Sequence, residues 1–272
     1  MNFYDLLAPW RDPLFLRFPI ASILIGMLAF MLFALPFTWL AAANPPGLLR
    51  YRIQNRREKA GIFWPSVQRW LTNNLWMLAT VTLLWPLIRL CGIHGGPLPP
   101  LWLMAMQLLF FVYLDDGLYY LFHRLMHRPF WFRHVHGVHH RVHTPWAITG
   151  HNMHAFEYVA TGLIATPGPA LLGVHLVTLY LWVIFRQWEA AEGHCGYDLP
   201  FSPTRWLPLS DGALHHDFHH ARVRGNFGGF LPVWDRLLGS LVRDYAQAVA
   251  AIRQRQRGPV AESAALKRSS GS

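Results

Sequence analysis

Three histidine groups carry the chemistry that this sequence can do: His123-Arg-Leu-Met-His127, His136-Gly-Val-His139-His140 and His215-His216-Asp-Phe-His219-His220. All but one of the sixteen histidines fall between His123 and His220. On a helix, residues three or four apart share a face, so each group aims several imidazoles at one point, as a metal site requires. A single histidine is ordinarily a hydrogen-bonded core or surface residue. The recurrence of one HxxxH and two HxxHH patterns argues instead for a polynuclear metal site. Cys91 and Cys195 lie far apart and form no CxxC pair, so neither a disulfide framework nor a thiolate site is expected. The ligands are then nitrogen, with oxygen at most. Such a set suits iron, zinc, copper and nickel alike and does not name the metal.

These histidines must be positioned by elements of unusual composition. Of the 272 residues, 53% are hydrophobic and only 14% charged, against about 25% charged in soluble domains. The surplus apolar surface calls for a bilayer. The reading is an all-α integral membrane helical bundle, with three or four spans plus a hairpin and a cytoplasmic, histidine-rich helical cap. Spans are expected at about 20–43, 71–90 and 101–122, and a tilted or re-entrant hairpin, interrupted by Pro167-Gly168-Pro169, at 156–189. Residues 123–155 and 190–245 form the cap, 1–245 a single membrane domain, and 246–272 a flexible, Ala-, Gln-, Arg- and Ser-rich tail. Residues 1–17 suit an interfacial segment. The basic run Arg50–Lys59 places its side of the membrane in the cytoplasm by the positive-inside rule. The net charge of +10 is explained by such basic segments facing anionic lipid, and no nucleic-acid-binding motif accompanies it. If the second and third clusters share one site, the chain between them must start and finish on the same side.

Around the clusters, Asp116 precedes His123 by seven residues, two helical turns on one face, and is expected to orient the cluster. His134, His143 and His151 are expected at the surface or behind the ligands. His175 and His94 have no histidine at helical spacing and are left outside the site.

The order HxxxH, HxxHH, HxxHH beside membrane spans resembles the fatty acid hydroxylase/sterol desaturase superfamily of membrane di-iron oxygenases. Asp116 to His127 is similar to that family's aspartate, aromatic pair and His-Arg-x-x-His helix. His194-Cys-Gly-Tyr-Asp-Leu-Pro200, Gly225-Asn-Phe-Gly228 and Trp234-Asp-Arg-Leu-Leu-Gly239 resemble its later segments, most closely those of the C4-methylsterol oxidase and cholesterol 25-hydroxylase branches. Two departures are His154-Ala155-Phe156-Glu157, where sterol oxidases usually read His-Pro-x-x-Glu, and Gly137, where lysine is common.

The resemblance implies two Fe ions with O2 as cosubstrate. Their ligands would be His123, His127, His136, His139, His140, His194, His216, His219 and His220, with His154 and His215 as late ligands or supporting residues. It implies O2-dependent hydroxylation or oxidation of a sterol-like or other apolar lipid, or desaturation of such a lipid. A separate cytochrome or ferredoxin with its reductase is expected to bring electrons, since the chain has no nucleotide-binding, iron–sulfur or haem motif of its own. The histidine side would face the cytoplasm, from the inner membrane of a bacterium or the endoplasmic reticulum of a eukaryote. A metal transporter would place its ligands mid-membrane in broken helices, whereas these flank the spans; a zinc hydrolase would show HExxH, which is absent.

Overall fold

The computed structural model describes residues 7–54, 56 and 60–269. The described part is all helical, and three of its helices are long and apolar enough to cross a membrane. The first such stretch, Pro13–Ala43, has mean hydropathy 2.4, and its body is α1 (Ala21–Ala43). It stops where Asn44 turns into the left-handed region at φ 45° and Pro45 and Pro46 follow, neither of which can continue the ladder. The second, α2 (Phe63–Ile88), begins eight residues before the expected start at 71 and carries Arg69 and the buried Asn73 and Asn74 in its first half. The charge-free stretch marked only where that helix passes its last charge, Arg69. The third, α3 (Leu101–Met126), starts after Pro100 and ends at His127, two residues before Pro129.

These helices turn large apolar side chains outward: Leu28 is 73% exposed, Leu83 76% and Leu101 79%. In water such faces would be a liability; against lipid chains they cost nothing. α1 packs closely on α7 (Leu176–Gly193). Gly26 permits the approach, since a Cβ there would lie 3.3 Å from Val183 Cγ1.

The expected hairpin is α5 (Ala155–Ile164), a short α6 (Pro167–Leu172) and α7, the cap between α3 and α5 contributing α4 (Pro129–His134) and two 3-10 segments, His136–Arg141 and Ala147–His151. The hairpin leaves the histidines at Glu157, bonded to His136. It reaches the α2–α3 loop, where His94 N donates to Val174 O and Leu176 N to His94 O, and returns to His194. His175 lies at that far end, capping α7 through Val177 N and donating from Nε2 to Gly96 O.

The polar chain after α7 forms α8 (Ala213–Arg222), α9 (Val233–Leu237) and α10 (Tyr245–Ser269), the last kinked at Gly258. Residues 246–257 correct the expectation of a tail from 246. Val249 is buried, Arg253 pairs with Asp211 at 3.0 Å, and Gln256 bonds Asp198 at 2.8 Å, so this Ala-, Gln- and Arg-rich stretch forms a helix that presents one packing face to the cap. Of the basic run, Asn55 and Arg57–Lys59 lie outside the described residues, as do 1–6 of the interfacial segment and 270–272 of the tail. Gln54 ties the start of that run to the cap, donating to Asp217 Oδ1 at 2.8 Å and His143 O at 2.9 Å.

The α2–α3 loop and the histidines stand at opposite ends of α3. Single cysteines at Gly95 and Arg222 in the full-length protein are therefore expected to react with a membrane-impermeant maleimide from opposite faces of the membrane; modification of both from one face would refute the arrangement.

Candidate metal centre

Nine imidazoles from four segments converge at one end of the bundle and divide into two groups. His123, His127, His136, His140 and His219 form the first; His139, His194, His216 and His220 the second; within each, the candidate ligand atoms lie within 4.8 Å of one another. The groups adjoin, the His140 and His220 rings being 4.9 Å apart. Each HxxHH is thus split rather than aimed at one point. His136 and His140 turn to the first group while His139 turns to the second, and on α8 His219 turns to the first while His216 and His220 turn to the second. The local reason differs by segment. The second motif is a 3-10 helix, His136–Arg141, whose tighter winding fans adjacent residues apart, whereas on α8 the 100° step between His219 and His220 separates them across the seam.

The nitrogens fit a metal. Nε2 to Nε2 distances are 3.1 Å for His123 and His136, 3.0 Å for His127 and His136, and 3.0 Å for His140 and His219. In the second group they are 3.3 Å for His139 and His194, and 3.1 Å from His194 to both His216 and His220. Around a metal with bonds of about 2.1 Å, ligands at right angles are about 3.0 Å apart and tetrahedral ones about 3.4 Å. Five of the rings are held from behind. His123 Nδ1 donates to Phe227 O at 2.8 Å, His194 to Ala190 O at 2.8 Å, His219 to Gly225 O at 2.7 Å, His220 to Val142 O at 2.9 Å, and His136 to Glu157 Oε1 at 2.5 Å. A proton fixed on Nδ1 leaves the Nε2 lone pair free to bind.

Burial favours the neutral form that a ligand needs at His139, His194, His216, His219 and His220. It is the largest cause of each depression, lowering His219 to about 3 and His194 to about 4, and it holds His139, His216 and His220 well below the ordinary range with added repulsion from neighbouring rings.

Other expected site residues take different places. Asp116 touches no histidine; it accepts from Gly229 N at 2.9 Å and Phe230 N at 3.1 Å. Its link to the cluster is indirect, because that loop also carries the Phe227 carbonyl behind His123. Gly229 makes the approach possible, as a Cβ there would lie 2.8 Å from Asp116 Oδ1. His215 points away from both groups, its Nε2 3.0 Å from Asp235 Oδ2, and Asp235 also accepts from the Phe227 and Gly228 amides. His154 belongs to neither group and caps α5, accepting from Phe156 N at 3.2 Å. Of the three histidines expected at the surface or behind the ligands, His134 and His143 are exposed, while His151 is 8% exposed and stacked on Phe30.

Reasoning from spacing missed Glu157 and Asp235 as partners of histidines; Glu157 was visible only as the end of His154-Ala-Phe-Glu. It also missed the buried group Asp115, Arg186 and Glu189, in which Arg186 Nη1 is 3.2 Å from Asp115 Oδ2 and also pairs with Glu189. A cavity of about 270 Å³ runs from the second histidine group, at His194 and His216, past Arg186 to Phe18, Ile88 and Ile93 at the far end.

A fatty acid hydroxylase family model matches residues 108–240. Methylsterol monooxygenase 2-2 of Arabidopsis thaliana is 34% identical over 230 residues, covering 81% of this chain and 84% of the relative. A cholesterol 25-hydroxylase-like protein of Danio rerio is 33% identical over 238 residues, covering 83% and 92%. A very-long-chain aldehyde decarbonylase of Oryza sativa subsp. indica is 34% identical over 206 residues, covering 74% and 77%. No solved structure matches.

Alanine at His219 is expected to cost metal in the first group and alanine at His139 metal in the second, with His175→Ala retaining full content by plasma mass spectrometry; an undiminished content in His139→Ala would remove that residue from the ligands. Glu157→Gln is expected to weaken retention against a chelator roughly 10- to 100-fold. Because the folded values lie below the unfolded 6.5, the unfolded chain binds more protons as pH falls. Stability is then complete above about pH 6.5 and lost toward the values of about 4 and about 3 for His194 and His219. The melting temperature of the metal-free protein in detergent should fall across that window and stay flat from pH 7 to 8.

Proposed function

The chain belongs to the fatty acid hydroxylase family, as a membrane oxidoreductase of the monooxygenase type, and from that premise we propose that its histidines hold two irons used to oxidise a C–H bond of a sterol-like lipid with dioxygen. The observation that carries the reading is the junction of the two features: an apolar cavity, long and narrow, opens directly onto ligand-type histidines. Two irons with open positions supply, when bound, the activation of dioxygen for attack on an unactivated C–H bond.

The chain's residues do the rest. The nine imidazoles supply nitrogen alone to the two groups. Phe227 O, Gly225 O, Val142 O, Ala190 O and Glu157 fix ring orientation through Nδ1, which keeps each Nε2 aimed without reorganisation. Trp182, Val81 and Leu179 wall the cavity and exclude water along the path of the lipid. Two of the relatives carry sterol-oxidising names, which favours a sterol-like substrate over a simple acyl chain.

Electrons must reach the site from another protein, a cytochrome or ferredoxin served by a reductase. The cap offers exposed Arg222, Arg224 and Arg236 to steer an acidic partner. The histidine end is assigned to the cytoplasmic side, in the inner membrane of a bacterial host or the endoplasmic reticulum of a eukaryotic one.

Expression in a membrane host with a generic reductase pair, followed by lipid mass spectrometry under isotope-labelled dioxygen, is expected to give a lipid that has gained labelled oxygen. Loss of two hydrogens without label would replace hydroxylation by desaturation. An unchanged lipid profile with zinc in the purified protein would refute the oxygenase reading. Salt is expected to raise the KM for the electron donor, and Arg222→Glu with Arg224→Glu to do the same at low salt.

A further inference from the structure

The cavity wall changes character along its length. α1 lines it at Ser22, Gly26 and beyond, and α7 from Leu179 to the His194 cap, roughly 22 Å for fifteen residues at 1.5 Å each. The far end, at Phe18, Val81, Ile88 and Ile93, is apolar, with the Cys91 thiol its nearest polar group. Beside His194 and His216 the wall includes His151, Gln187, Glu189 and Glu192. Arg186, its one cationic side chain, is already paired with Asp115 and Glu189, and Glu192 is held by Ser202, Thr204 and Trp188.

His151 differs from these neighbours. It is no member of either ligand group, yet its chain is pressed against the turn that ends in His194: a Cβ at Gly150 would lie 2.7 Å from Ala190 O and 3.0 Å from His194 Nδ1. Its ring is stacked on Phe30 at 3.9 Å between centroids and 20° between planes, and meets the Tyr158 ring edge-on at 5.2 Å. Phe30 is fully buried, so the imidazole is clamped. His151 Nδ1 is buried with no hydrogen-bond partner among the described residues. A buried N–H without a partner costs more than a bare lone pair, which favours the tautomer with the proton on Nε2, the nitrogen left to serve the cavity. Burial lowers the ring to about 3, so it stays neutral.

We infer that His151 is the polar contact for the substrate: it donates a hydrogen bond to a hydroxyl or carbonyl oxygen, so that an apolar lipid binds oxygen-end first and is oxidised near that oxygen. The Ser22 and Thr161 hydroxyls, also on the wall and unpartnered, are weaker anchors, because each can turn to a carbonyl of its own helix by rotating χ1, a freedom the clamped imidazole lacks. The position of oxidation rests on the oxygenase reading; the binding contact does not.

The test is equilibrium binding of tritiated n-hexadecanol and n-hexadecane to the metal-loaded full-length protein in nanodiscs, for wild type, His151→Leu, His151→Gln and Ser22→Ala. One net hydrogen bond of about 1 kcal/mol corresponds to roughly a fivefold preference for the alcohol. The expected result is that His151→Leu abolishes this preference without changing alkane binding or metal content, that His151→Gln restores part of it, and that Ser22→Ala leaves it alone. An unchanged preference in His151→Leu, loss of metal in that variant, or loss of preference in Ser22→Ala instead would each overturn the assignment. Where product forms, oxygen is expected on the carbons nearest the hydroxyl, and oxidation at the far methyl would overturn the oxygen-first orientation. A wild type that shows the preference, with its loss in His151→Leu, upholds the contact even where the host's lipid profile under labelled dioxygen is unchanged and the protein holds zinc, an outcome that refutes the oxygenase reading alone.

Discussion

Nine imidazole nitrogens buried around two points, with lone pairs facing one another at about the spacing of metal ligands, form an arrangement that no apolar core would build. Each ring gives up its hydration, and bringing the lone pairs together is unfavourable unless a cation lies between them. The surrounding fold serves that requirement. Five peptide or carboxylate oxygens hold Nδ1 protons, and Asp116 and Asp235 hold the loop that carries one of those oxygens. None of these partners binds metal, yet each makes a ligand's direction independent of its side-chain rotamers.

The membrane helices solve a different problem with the same architecture. Their lipid-facing surfaces are predominantly apolar, so the bundle needs no large core of its own, and its interior can be given to a cavity and to polar groups. Polar side chains at that depth are confined to the interior and paired with one another, as Arg186 is with Asp115 and Glu189. The hairpin of α5, α6 and α7 lets one helix, α7, line the cavity and end in the candidate ligand His194. Distance along the cavity is therefore measured from the second histidine group by a rigid helix.

Length, composition and spacing by themselves determined a good deal. Charge-free stretches locate membrane helices because a bilayer admits no other solution for long apolar segments, and HxxxH and HxxHH identify ligand candidates because helical winding puts such residues close together. What the spacing left open was how the ligands divide: His139 parts from His136 and His140, and His219 from His216 and His220, because the split depends on how the 3-10 segment and α8 are turned toward one another. The partners of the rings were equally invisible, since four of the five are backbone carbonyls and a carbonyl has no sequence signature. Asp116 lay on the expected face of α3 but meets the loop after Asn226 rather than an imidazole, and His151, whose spacing does not tell surface from interior, is held at the cavity by the stack on Phe30 from a helix over a hundred residues away. Local physics fixed which residues are able to bind; only the crossing of distant segments decided which of them meet, because the energy that chooses among them is that of burial and hydrogen bonding between parts of the chain that no local pattern relates.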